Sequence, residues 1–268
     1  MITQKVKEIL EQGSLSAGFP MYQNSKLDIF HQKLISFLQS DLALRGAPIS
    51  ITLEAGCDDI GALWRNPGLI IGQSCMFPLT HEYKASLDYL ATPHYDVPGC
   101  QGPYYRSFIV THARNMGADY QTLVERGIAI NSADSLSGGA AMASYIKDLQ
   151  DHIPANPVIT GAHRKTLEAI AKGHAALGVI DCVTWHYMKD DIPTGIQIID
   201  ETPSYPALPY VISQELSPAF REAARALLVR VPDIPDLAQS ARQANIKEFS
   251  LISKDQTRQI AQMTPYPV

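Results

Sequence analysis

A chain of 268 residues with 46% apolar and 18% charged side chains has room for one large or two modest globular domains, and is neither disordered nor fibrous. Its net charge of −5 argues against nonspecific nucleic-acid binding, which needs an excess of Lys and Arg against phosphates, but leaves room for a small anion held by local N–H and hydroxyl groups. No window approaches the roughly 18 consecutive apolar residues of a membrane span, and the N-terminus has lysines but no apolar signal core, so the chain has either lost an export leader or stays in the cytoplasm.

Residues 15–22 read as a first strand running into a loop, and Leu27, Phe30, Leu34, Leu38 and Leu42 recur at helical spacing over 27–44. Alternation predicts a strand over 49–53. Asp58 or Asp59 caps a short helix reaching Trp64, and 69–73 is a short buried strand. Strands follow at 108–111 and 127–130, the second running into a Ser/Gly cluster and a helix over 138–149. A strand at 157–160 leads through His163 into a helix to about residue 171, and 177–181 closes the rhythm. The runs at 127–130, 157–160 and 177–181 predict a parallel sheet in an α/β protein. Strands at 196–199 and 210–212 precede a helical C-terminal third, where Ser217 as N-cap and Pro218 at N1 open a helix over 219–231 and another spans 236–244.

Residues 102–107 and 202–209 read as crossings into and out of the central block. They assign 1–103 plus 208–268 to a discontinuous first lobe and 104–207 to a second, with a ligand expected between the lobes.

Ser135, Leu136, Ser137 and Gly138 open the helix after the 127–130 strand. They put two hydroxyls and unpaired N–H groups at a positive helix end, where an oxyanion is a natural guest. Gly138 and Gly139 would let a ligand approach the backbone, while the competing reading is a plain Ser N-cap. His163 follows the next strand at the same edge, to donate to the anion or to cap its helix. Asp181 and Trp185 follow the third strand, to line the site or to serve as helix cap and core. Tyr105, beside Ser107, lies on the first crossing and Tyr22 ends the first strand; phenols donate without carrying charge, though tyrosines near proline also pack with nothing bound.

Enzyme motifs are missing. There is no G-x-G-x-x-G after a strand, no Walker lysine and no H-E-x-x-H, and residues 72–76 lack the last glycine of a nucleophile elbow. No catalytic residue, cofactor or metal is expected. Cys57, Cys75, Cys100 and Cys182 form no C-x-x-C pair and read as free thiols, or as one Cys75–Cys100 bridge in an oxidising compartment.

Gly18-Phe-Pro-Met-Tyr22, Ala62-Leu-Trp-Arg65, Gln73-Ser-Cys75 with Pro78 and Leu79, the stretch 99–107, Asp134-Ser-Leu-Ser-Gly138, Gly161-Ala-His163, the stretch 180–185, and Glu201-Thr-Pro203 through 208–211 come in the order found in PhnD-like proteins. The chain resembles these substrate-binding components of phosphate, phosphite and phosphonate ABC transporters over about residues 14–230. The resemblance implies a type II periplasmic-binding-protein fold, two α/β lobes joined by two crossing segments and closing on the ligand. It implies that Ser135 and Ser137 hold the phosphonate group at a helix N-terminus. Tyr105 matches the hinge tyrosine, His163 the histidine after the second strand of the inserted lobe, and Tyr22 a cleft-lining aromatic. Leu136 stands where a Thr is common, and Leu208 stands near where aminophosphonate binders place an acidic group. A compact guest is therefore expected: phosphate, phosphite or a small alkylphosphonate. The implied protein is a monomer that hands its oxyanion to an ABC permease, periplasmic if a leader has been removed and cytoplasmic otherwise. The alternative is a cytoplasmic enzyme or sensor on the same fold.

Overall fold

The computed structural model describes residues 15–22, 24–44, 50–54, 59–150 and 152–268. The chain opens with β1 (Leu15–Gly18) and α1 (Ser25–Leu44), whose buried Leu27, Phe30, Leu34, Leu38 and Leu42 form the expected apolar stripe. Next come β2 (Ile51–Leu53), α2 (Ile60–Arg65), β3 (Leu69–Gln73), α3 (Met76–Thr80) and β4 (Leu87–Tyr95). Asp59 caps α2 by accepting the Ala62 N–H at 2.8 Å. Ile49, Cys57 and Asp58 lie outside the described residues.

The central block holds β5 (Tyr104–Tyr105), β6 (Ser107–His112), α4 (Tyr120–Glu125) and β7 (Ile128–Ile130). A π-helical turn, Leu136–Ala140, continues into α5 (Ala141–Leu149), followed by β8 (Val158–Ile159), α6 (His163–Lys172), β9 (Leu177–Asp181), α7 (Cys182–Tyr187) and β10 (Ile196–Glu201). The chain returns through β11 (Tyr205–Pro206) to β12 (Tyr210–Ser213), α8 (Pro218–Val229), α9 (Pro235–Gln243), β13 (Ile246–Ser250) and α10 (Lys254–Gln262). Ser217 caps α8 as expected, with Pro218 in its first turn.

Two compact units result. The first comprises Met1–Asp96 and Pro206–Thr257, the second Val97–Tyr205 and Arg258–Val268. The first unit's sheet runs β13-β4-β12-β3-β1-β2, with β1 parallel to its neighbours β2 and β3. Neither β4 nor β13 was expected. Strand β4 lacks a period of two and contains Pro93, which lies past the segment Leu87–Ala91 paired with β12, so its missing N–H costs no bond to that strand. Strand β13 falls in a stretch read as helical, and its Lys247 and Glu248 mark an exposed edge.

The second unit's sheet runs β10-β6-β9-β7-β8. Strands β7, β8 and β9 are parallel, the arrangement expected from their apolar runs, while β6 and β10 are antiparallel additions. Its core gathers Ile109, Leu123, Ile128, Met142 and Leu177 around Tyr266. The sequence reading assigned 208–268 to the first lobe. In the structure Arg258–Val268 joins the second unit, because the Tyr266 ring is buried in that core and its N–H donates to the Ala133 carbonyl at 2.9 Å.

The sulfur facing Cys100 is that of Cys182, at 3.4 Å within the second unit; Cys75, offered by the sequence as an alternative bridge partner, belongs to the first unit. No helix among the described residues is long and apolar enough to cross a membrane.

Candidate functional site

The parallel strands β7, β8 and β9 end at one edge of the second unit, and the loops leaving that edge are tied together. The Thr160 N–H and hydroxyl donate to the Ile130 carbonyl at 2.9 and 3.0 Å, and the Gly161 N–H donates to the Asn131 carbonyl at 2.8 Å. The loop after β8 is thus fastened to the end of β7. Asn131 in turn donates from Nδ2 to Ser135 Oγ at 3.1 Å.

The π-helical turn uses much of its own backbone. Gly138 and Ala140 donate to the Ser135 carbonyl at 3.2 and 3.0 Å, and Gly139 donates to the Ser132 carbonyl at 3.0 Å. The two glycines make this fold-back sterically feasible. A Cβ on Gly138 would sit 1.7 Å from Asn131 Oδ1, and one on Gly139 would sit 2.5 Å from the Ala133 carbonyl oxygen. The space beside both α-carbons is filled by the chain itself rather than left for a ligand.

Ser135 occupies the N-cap position, yet its hydroxyl makes no capping bond. It lies instead 3.4 Å from Ser137 Oγ. Ser137 Oγ is 3.1 Å from His163 Nε2, and the Ser137 carbonyl accepts the Ser107 hydroxyl at 2.9 Å. Ser107 starts β6 directly opposite Asp181 in the β6–β9 register. In the sequence Ser107 stands out only by its place on the first crossing, and Asn131 only as the residue that follows the 127–130 strand and opens the Ser/Gly stretch.

His163 opens α6. Its Nδ1 is 3.2 Å from the Val179 carbonyl, which can only accept, so Nδ1 carries a hydrogen. In the neutral ring Nε2 is then a bare acceptor for the Ser137 hydroxyl. Asp181 Oδ2 faces the same nitrogen at 3.3 Å. Burial lowers the His163 pKa below its ordinary value, partly offset by the Asp181 charge and the Val179 hydrogen bond. Asp181 is itself buried and caps α7, accepting the Thr184 N–H at 2.8 Å and the Thr184 hydroxyl.

Serine, histidine and aspartate stand together here, but not as a nucleophile-activating triad. Both partners address Nε2, whereas a serine-activating imidazole needs its carboxylate on Nδ1, which Val179 occupies. The cluster has other capacities. Two hydroxyls can rotate to donate, and the imidazole can carry an Nε2–H in its protonated form.

The structure therefore brings Ser135, Ser137, His163 and Asp181 into one cluster, with Gly138 in the same turn. Leu136 is fully buried. Trp185, half-buried on α7, meets Phe108 edge-on at 6.0 Å. Tyr105 is buried on β5, two residues before Ser107. Tyr22 belongs to the first unit, where its ring meets Tyr95 edge-on at 5.6 Å. Among the described residues, no group of three His, Cys, Asp or Glu is placed to hold a metal.

A family model described as the periplasmic substrate-binding protein of a phosphonate ABC transporter matches residues 79–257, a span that contains the whole cluster. PhnD1 of Prochlorococcus marinus, solved in complex with methylphosphonate, shares the fold with a TM-score of 0.71 at 15% identity, over 92% of this chain and 95% of its own. The binding-protein component of an ABC phosphonate transporter from Pseudomonas aeruginosa gives 0.70 at 12% identity, over 92% and 85%. A Xanthomonas citri protein solved with ATP bound gives 0.70 at 13%, over 93% and 96%. Identities this low carry the fold alone, which is the expected type II periplasmic-binding-protein fold. No curated protein matches the sequence.

Proposed function

Because the chain belongs to the family of periplasmic substrate-binding proteins of phosphonate ABC transporters, we propose that Ser135, Ser137 and His163 hold the phosphorus oxyanion of a compact ligand that is then delivered to a permease. The observation that carries this reading is the disposition of Ser135. It stands where a serine ordinarily caps a helix, makes no capping bond, and turns its hydroxyl to that of Ser137 at 3.4 Å, with His163 Nε2 3.1 Å beyond. Polar groups converging at one sheet edge beyond what helix capping requires are the mark of a binding site. Asn131 and Ser107 fix the two serines from behind, which lowers the ordering cost of binding.

The buried Asp181 carboxylate argues for a proton between it and the anion, and His163 is the group placed to carry one. Phosphate, phosphite and methylphosphonate are the favoured guests, methylphosphonate being the ligand with which PhnD1 of the same fold was solved. Trp185 and Tyr105 are proposed to line the site around them.

Calorimetry and thermal-shift measurements with phosphate, phosphite, methylphosphonate and 2-aminoethylphosphonate test the reading. At about 100 times Kd a bound anion adds roughly 2.7 kcal/mol of stability, a rise of several degrees in the midpoint. Tight binding of 2-aminoethylphosphonate alone would remove the compact-guest assignment. No response to any of the four would remove the oxyanion site.

A further inference from the structure

The second unit contains a sulfur pair that the anion site does not use. Cys182 is the first residue of α7, fully buried, and its N–H donates to the Arg106 carbonyl at 3.0 Å. Cys100 lies in the turn where the chain enters the unit, and its N–H donates to the Val97 carbonyl at 3.1 Å. Both backbones are therefore pinned, and they bring the two sulfurs to 3.4 Å. Gly99 makes this approach possible. Its φ of +92° suits glycine, and a Cβ there would come 2.6 Å from Cys182 Cβ and 3.0 Å from its sulfur.

We propose that Cys100 and Cys182 form a disulfide when the protein is held in an oxidising environment. A disulfide needs sulfurs at about 2.05 Å, so the pair must close by roughly 1.4 Å, within reach of side-chain rotation. A metal is the other common use of paired thiols, but no third His, Cys, Asp or Glu joins them among the described residues. The electrons go to a disulfide donor such as oxidised glutathione. Cys100, the partly exposed member, attacks a donor sulfur as thiolate and expels one donor thiolate. Cys182 then attacks Cys100 Sγ and expels the second, so two protein thiols become one S–S bond and one donor disulfide becomes two thiols. The two cysteines are 82 residues apart in sequence, and the closed loop includes β6, β7, β8 and β9 with Ser135, Ser137 and His163. The bond also begins one residue after Asp181. This inference does not depend on the identity of the ligand.

The full chain, reduced and then incubated with oxidised glutathione, is to be denatured, alkylated with N-ethylmaleimide and mapped by mass spectrometry without reduction. A Cys100–Cys182 linked peptide is expected, with Cys57 and Cys75 alkylated, and the oxidised chain should melt on the order of 10 °C above the reduced one. Cys100→Ser should remove both the linked peptide and the redox dependence of the midpoint. Gly99→Val should slow closure at least tenfold, by keeping the loop off Cys182. Alkylation at all four cysteines after oxidation, or Cys100 recovered joined to glutathione or to Cys75 with Cys182 free, would overturn the proposal.

Discussion

Ser137 and His163 meet through a single ring nitrogen, Oγ lying 3.1 Å from Nε2, and Asp181 faces that same nitrogen at 3.3 Å. With Nδ1 committed to Val179, the ring is an acceptor for Ser137 when neutral and a donor when protonated. Burial favours the neutral form in the empty protein. On the proposed reading an arriving anion should reverse that preference, and a protonated Nε2 would free the Ser137 hydrogen for the ligand. Binding of methylphosphonate near pH 7.5 should therefore take up a fraction of a proton. Calorimetry in buffers of different ionisation enthalpy reads that uptake directly. His163→Gln should abolish it, and an enthalpy independent of buffer in the wild type would count against the scheme.

Replacing Ser135 and Ser137 together by Ala removes two hydrogen bonds to a charged group, each worth roughly 1.5–3 kcal/mol. Affinity for the oxyanion should fall by about 10²- to 10⁴-fold. Because Ser135 makes no capping bond, the helix beginning at Leu136 should keep its circular-dichroism signal and the midpoint should move little. A large loss of helicity with unchanged affinity would return Ser135 to a purely structural role.

The adjacent glycines should respond differently to Ala. At Gly139 the new Cβ meets main-chain oxygens of Ser132 and Ala133 that cannot swing aside, so Gly139→Ala should cost about 1–3 kcal/mol or more of stability. At Gly138 it meets the Asn131 side-chain amide. Gly138→Ala should push that amide off Ser135 and weaken anion binding at least tenfold, with a smaller drop in melting temperature. Equal melting losses for both variants would contradict the distinction.

His31, in the first unit, stacks on Phe19 at 3.7 Å and lies with Nε2 2.6 Å from the Tyr210 hydroxyl. Burial lowers its pKa from 6.5 to about 3. Above pH 6.5 the folded and unfolded chains are both neutral there. Below it the unfolded chain takes a proton that the folded one refuses, so stability is lost as pH falls from 6.5 towards 3. His31 alone should remove about 2 kcal/mol between pH 7 and pH 5. His163, lowered in the same direction, adds to the loss. Urea midpoints at the two pH values measure it, and His31→Gln should flatten the difference.

Much of the second unit was legible before its structure because its strands are short, apolar and followed at once by helices. The runs ending at Ile130, Ile159 and Asp181 are such strands, and their shared direction alone predicts that Ser135, His163 and Asp181 gather at one edge. Strand β4 was hidden because Pro93 and its mixed polarity break the alternation that betrays a half-buried strand. The sulfur pairing was hidden for another reason. It depends on a left-handed turn at Gly99, and contact across 82 positions leaves no mark in local spacing. Which atoms Gly138 and Gly139 accommodate was equally out of reach, since any glycine after serine is compatible with a ligand or with the chain.

Tyr266 carries a consequence for the order in which this protein is made. Its ring is buried in the core that also holds Leu123, Ile128 and Met142, yet every strand of that sheet is translated before β12. The nascent middle of the chain can form its sheet early, but with an open seam where the aromatic ring belongs. Closure waits until residue 266 has emerged, by which time the whole first unit has also been synthesised. The part of the molecule begun second is thus sealed last.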